Sequence, residues 1–130
     1  MKYIFSLMIL FACLFTANAQ ITANFTGGDT VVNTAAVDMD LRVTNAYNTA
    51  ALQIVITKVS GTVAGNAILK GSVDGTNFVN IDTFATTNVA LQTEIFPITP
   101  VYYPYYRVTY TGTGTMAAII SGKGHFKGKL

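Results

Sequence analysis

The chain has 130 residues, 51% apolar and only 11% charged, with a formal net charge of +2. That bounds it at one domain and excludes a disordered polar chain. One histidine and one cysteine leave almost no material for a catalytic triad or a zinc site.

Thr, Val, Ile, Tyr, Gly and Asn are common, whereas Glu occurs once. Strands favour the β-branched and aromatic types and turns favour Gly and Asn, so the composition reads as all-β.

The first segment is a leader. Lys2 is a short positive region, residues 3–15 are apolar, and Ala17-Asn18-Ala19 is an A-x-A cleavage site ahead of Gln20. These three parts together make a secretory signal peptide. The apolar run is shorter than the ~20 residues a membrane-spanning helix needs. Membrane association is expected only if the leader is retained. Leu10-Phe11-Ala12-Cys13 faintly resembles a lipoprotein cleavage box, in which Phe11 fits poorly. Cleavage after Ala19 leaves a domain with no cysteine, hence no disulfide, no thiolate nucleophile and no Cys metal site.

Beyond the leader, Ile21, Ala23 and Phe25 alternate in a short first strand, and residues 30–34 suggest a second. Val37, Met39, Leu41 and Val43 oppose Asp38, Asp40, Arg42 and Thr44, a half-buried strand with one wet face. Residues 52–59 are apolar at Leu52, Ile54 and Ile56 on one side and Val55 and Val59 on the other, which suggests a central strand partly covered on both faces. Residues 67–82 read as a β-hairpin. Ala67, Leu69 and Val73 share one face of its first arm, Asp74, Gly75, Thr76 and Asn77 turn, and Phe78, Val79 and Ile81 start the second arm. Gly75 can take a positive φ there at little cost, and Asp74 caps the turn.

Residues 84–88 read as a connection. Val89, Leu91, Thr93 and Ile95 then alternate with Ala90, Gln92, Glu94 and Phe96 until Pro97 and Pro100, which end the strand. After Tyr102-Tyr103-Pro104-Tyr105-Tyr106, Tyr106, Val108 and Tyr110 share one face and Tyr105, Arg107 and Thr109 the other. Residues 115–122 close the domain, leaving 123–130 as a basic Gly/Lys tail containing His125. Six clear strands and one or two weaker ones argue an antiparallel β-sandwich of about 7–8 strands, jelly-roll-like or Ig-like, spanning residues 20–122, with a small barrel as the alternative.

Candidate chemistry is sparse. His125 sits in a tail whose composition predicts mobility. Asp38 and Asp40 share a wet strand face, as solvated charges do. A calcium site through Asp74, Asn77 and Asp82 competes with the simpler reading of Asp74, Gly75 and Asn77 as a structural turn. No catalytic residue, metal or cofactor is assigned. Residues 20–122 carry four Lys/Arg against six acids, a net of −2. That is no footprint for nucleic acid. The best binding candidates are Tyr102, Tyr103, Tyr105, Tyr106 and Arg107, because tyrosines offer flat apolar faces with a polar tip.

LKGSVDGTNFVNI, the later Pro-rich stretch and YYRVTYTGTGT resemble small phage structural domains, of the capsid-decoration, head-fibre or tail-associated β-sandwich kind. Gly71, Ser72, Asp74, Gly75, Phe78 and Tyr106-Arg107-Val108 carry that resemblance over residues 41–120. Similar punctuation occurs in discoidin-like carbohydrate-binding sandwiches. The leader resembles those of exported Bacteroidota proteins and departs from most virion proteins. The resemblance implies a non-catalytic structural or adhesion protein, exported (extracellular, periplasmic or at the cell surface) or on a virion surface. Its partners would be copies of itself, other surface or virion proteins, or a glycan. The alternative is a soluble carbohydrate-binding module using Tyr102 to Tyr106.

Overall fold

A computed structural model describes residues 20–128. The leader, with Cys13, and the last two residues, with Lys129, lie outside the described residues. Ten strands form two antiparallel sheets, and no helix occurs among the described residues. They are β1 (Gln20–Asn24), β2 (Thr26–Gly27), β3 (Thr30–Val32), β4 (Ala36–Arg42), β5 (Thr49–Gly61), β6 (Gly65–Ser72), β7 (Val79–Ala85), β8 (Leu91–Ile98), β9 (Tyr105–Gly112) and β10 (Met116–Lys127). The fold is therefore the expected all-β sandwich, with ten strands rather than seven or eight. The additional pieces include the two-residue β2, too short to leave a sequence pattern.

One sheet runs β1-β10-β5-β8, with β3 also on β10. Its spine is the long pairing of β5 with β10, from Met116↔Gly61 to Lys127↔Thr49. The other sheet runs β2-β4-β9-β6-β7. Period-two alternation decides what is buried: Leu52, Ile54 and Ile56 of β5 and Ala118, Ile120 and Phe126 of β10 face Met39, Leu41, Leu69, Tyr106, Val108 and Tyr110. These side chains form one core, the dominant stabilising term of such a domain.

Several expectations need correction. Residues 123–127 are no loose tail, because β10 continues through Lys127 between β1 and β5. The reason lies in two inward glycines. A Cβ at Gly124 would stand 2.7 Å from Leu41 Cδ2, and one at Gly122 would stand 2.8 Å from Phe25 Cδ2. Here the sheets approach too closely for a side chain, so a Gly-rich stretch serves as strand. Pro97 does not end its strand; β8 runs on to Ile98. The strand tolerates Pro97 because it is an edge, where a missing N–H breaks no ladder bond.

The hairpin of residues 67–82 exists, and its second arm, β7, is a sheet edge. That arm extends through Phe84 and Ala85, which were expected in a connection. Val73 lies in the turn and is exposed instead of sharing the face of Leu69. β5 is central as expected, yet only one of its faces is core, and Val59 is exposed.

Candidate functional site

The tyrosine run divides among three environments. Tyr106 and Tyr110 point inward from β9 and are buried, Tyr106 at 1% exposure. Tyr103 accompanies Tyr106 edge-on, centroids 6.0 Å apart and planes at 84°. Its ring covers Gly71, where a Cβ would collide with it. Burial pushes the Tyr106 hydroxyl pKa up. Tyr102, one residue before Tyr103, is 76% exposed. With Ile81, Pro97, Pro100 and Tyr103 it borders a mainly apolar cleft of about 210 Å³. That cleft takes Ile81 from β7 and Pro97 and Ile98 from the end of β8.

Tyr105 and Arg107 face the other way, onto the outer surface of the β4–β9 pair. Asp40 lies directly across from Arg107, and Asp38 across from Thr109. The Arg107 guanidinium donates to both Asp40 oxygens, Nε to Oδ1 at 2.6 Å and Nη2 to Oδ2 at 2.9 Å. Its Nη1 lies 3.4 Å from Asp38 Oδ2. Thr109 donates its hydroxyl to Asp38 Oδ1 at 2.7 Å. Above, Arg107 stacks 4.4 Å from the Phe78 ring centre and Arg42 5.5 Å from that of Tyr105. Hydrogen bonding to Asp40 raises the Arg107 pKa further. Both aspartates therefore pair with Arg107 rather than standing as isolated solvated charges. Arg107 is engaged by carboxylates of its own chain, an arrangement that ties strands together rather than leaving a fork for a ligand.

The Asp74 turn is structurally self-sufficient. Asp74 Oδ1 accepts from Ser72 Oγ, Thr76 N and Asn77 N, each at 2.8 Å, and Oδ2 accepts from Asn77 Nδ2 at 2.7 Å. Gly75 takes φ 74° and donates its N–H to Ser72 Oγ. These bonds, led by that from the Asn77 backbone, hold the Asp74 carboxyl well below the usual carboxylate range. Asp82 Oδ1 instead accepts from Thr83 N. No group of three or more His, Cys, Asp or Glu side chains suited to a metal occurs among the described residues. His125 meets Thr22 Oγ1 through Nδ1 at 3.2 Å, across the β1–β10 pair.

The five proposed binding residues thus do not form one site. Tyr102 and Tyr103 border the end cleft, Tyr105 and Arg107 lie on the outer face, and Tyr106 is core. Sequence reasoning missed two other features. A cleft of about 390 Å³ is lined by Asn24, Gln53, Ser121 and Lys123. Its residues come from three distant strands, so no local pattern marks it. The second is the edge strand β8, whose outward positions Leu91 and Ile95 are 60% and 53% exposed. Alternation of Leu91 and Ile95 was visible; which side faced the core was not, because Phe96 and Ile98 are the buried pair.

The sheet edges differ in how they resist pairing. β2 has two residues, and β1 and β3 have five and three. β7 is broken by a register shift against Leu69/Lys70. Short strands and bulges are devices that blunt edges. β8 has neither: its eight residues follow β5 in unbroken register.

No known protein family and no curated protein matches the chain in sequence. Among solved structures, one from Bacillus endospore appendages, a family of disulfide-linked pili, matches 87% of this chain and 90% of its own at TM-score 0.53 and 10% identity. A chain of infectious bursal disease virus, Gx strain, matches 86% of this chain and 32% of its own at TM-score 0.51 and 11% identity. A family 29 carbohydrate-binding module matches 86% of this chain and 79% of its own at TM-score 0.46 and 8% identity. At these identities the first two share the sandwich fold, and the third is a looser likeness.

Proposed function

We propose that the chain is an exported, non-catalytic surface protein, of a cell or a virion, that works by self-assembly or attachment. The observation that carries this reading is the unpaired flank. β7 and β8 are the outer strands of their sheets. Val79, Leu91, Ile95 and Tyr102 are exposed along and beside them. Exposed apolar groups on open strand edges are costly for a free monomer and favourable once covered by a partner. The signal peptide read from residues 1–19 supports export. The sandwich shared with a pilus structure and a virus chain supports the class at the level of fold alone.

A second reading is favoured by Tyr102. Its open ring beside the end cleft offers an apolar face on which a sugar ring would stack. Size-exclusion chromatography with light scattering, together with a glycan array, separates the two. Oligomers without sugar binding support assembly. A monomer whose sugar binding is lost in Tyr102→Ala supports a carbohydrate-binding module. A monomer that binds nothing sinks both.

A further inference from the structure

Resting on the assembly reading, we propose that two copies of the chain join through β8, edge to edge and antiparallel, about a two-fold axis at Thr93. The backbone phase of β8 supplies the first argument. Lys58 N donates to Ala90 O at 2.9 Å, so even-numbered positions turn their backbone groups toward β5. In an antiparallel strand the odd positions then turn theirs to the free edge. Pro97 falls on that side, where its missing N–H breaks nothing. The amides and carbonyls of Leu91, Thr93 and Ile95 face outward from the edge, with no bulge to twist them away.

The second argument is that the edge complements itself. Centring the axis on Thr93 sets Leu91 opposite the second copy's Ile95, Thr93 opposite Thr93, and Ile95 opposite Leu91. Each facing pair exchanges two backbone hydrogen bonds, and the two exposed aliphatic side chains cover each other. On the opposite face Gln92 meets Glu94. Gln92 Oε1 accepts from Thr87 N at 3.0 Å, and its amide N–H group is a donor of the kind the facing carboxylate would accept from. A neighbouring register, centred on Glu94, would instead set that carboxylate against itself, and like charges directly opposite are destabilising. It would also bring Pro97, which lacks an N–H, into the ladder. Complementarity thus favours the Thr93 register over the Glu94 one, and the occupant is a second copy of the chain.

Sedimentation equilibrium of the full chain should find dimers. Thr93→Pro removes the central amide, which the chain's own sheet does not use. It should weaken association roughly tenfold or more, since two intermolecular bonds go at once. Its thermal melting as a dilute monomer reports on folding. Ile95→Lys, a surface change, should weaken association in the same way if the proline strains β8. For register, Gln92→Cys and Glu94→Cys chains are prepared separately in a Cys13→Ala background and mixed under oxidation. Facing Cα atoms at such non-hydrogen-bonded positions lie about 4.5 Å apart, within reach of a disulfide. The mixture should cross-link much faster than either chain alone. Oligomers unchanged by both Thr93→Pro and Ile95→Lys would overturn the β8 assignment and leave assembly by another surface standing. A monomer at every concentration would overturn this inference, leaving attachment as the remaining form of the function.

Discussion

Tyr102 and Tyr106 are four residues apart, and exchanging either for alanine should have opposite consequences. Tyr106 is 1% exposed and packs edge-on against Tyr103, whereas Tyr102 is 76% exposed. Removing a buried aromatic side chain costs about 3–5 kcal/mol, from lost burial and the cavity left behind. The aromatic pair accounts for about 1 kcal/mol of such losses. A domain of this size holds roughly 5–15 kcal/mol in total, so Tyr106→Ala should remove about a fifth or more of it. The melting temperature should fall by about 15 °C or more. Tyr102→Ala should stay within about 0.5 kcal/mol. Tyr106→Phe should lose less than about 1 kcal/mol, because the hydroxyl meets the Tyr103 N–H only at 3.4 Å. Urea unfolding followed by far-UV circular dichroism reads all three, the chain having no tryptophan. Equal losses for Tyr102→Ala and Tyr106→Ala, or a Tyr106→Ala that stays under about 1 kcal/mol, would refute the division of the run into core and surface.

Gly71→Ala forces a methyl group into the Tyr103 ring and should destabilise by about 1–3 kcal/mol, measured by the same unfolding curves; a neutral result would show that the ring yields freely. Arg107 with Asp40 should show a coupling of about 1 kcal/mol or less in a double-mutant cycle, falling with added salt, because the pair is partly exposed. A coupling indifferent to salt would contradict that view. Asp74 has a folded-state pKa depressed below its unfolded value of about 4. Its contribution is therefore present above that pH and is lost as pH falls through the folded value. The stability gap between the natural chain and Asp74→Asn should be constant near neutrality and shrink in acid below about pH 4. A gap that widens in acid would contradict the hydrogen-bonded carboxylate.

Alternation made β4 and β9 legible, because Met39 and Leu41, and Tyr106, Val108 and Tyr110, are buried where their period places them. β10 was only half visible. Met116, Ala118, Ile120, Gly122, Gly124 and Phe126 keep one face throughout, but two of those six positions are glycines and the surrounding lysines suggest a tail. Only contact with Phe25 and Leu41 on other strands explains the glycines. The Asp74 turn was legible because its bonds span three residues or fewer. The Arg107 network was not, since its partners lie about seventy positions away and meet it only through strand register. β8 misleads for a related reason. Both of its faces carry apolar residues, so the pattern cannot tell core from edge surface.

Amide hydrogen exchange at Leu91, Thr93 and Ile95, followed as the full chain is diluted, tests the role of the unpaired flank most directly. In a single copy these amides face solvent and exchange rapidly. Assembly through β8 predicts protection that rises with protein concentration at these three positions and disappears in Thr93→Pro. Fast exchange at every concentration, in a sample that light scattering shows to be oligomeric, would contradict assembly through this edge.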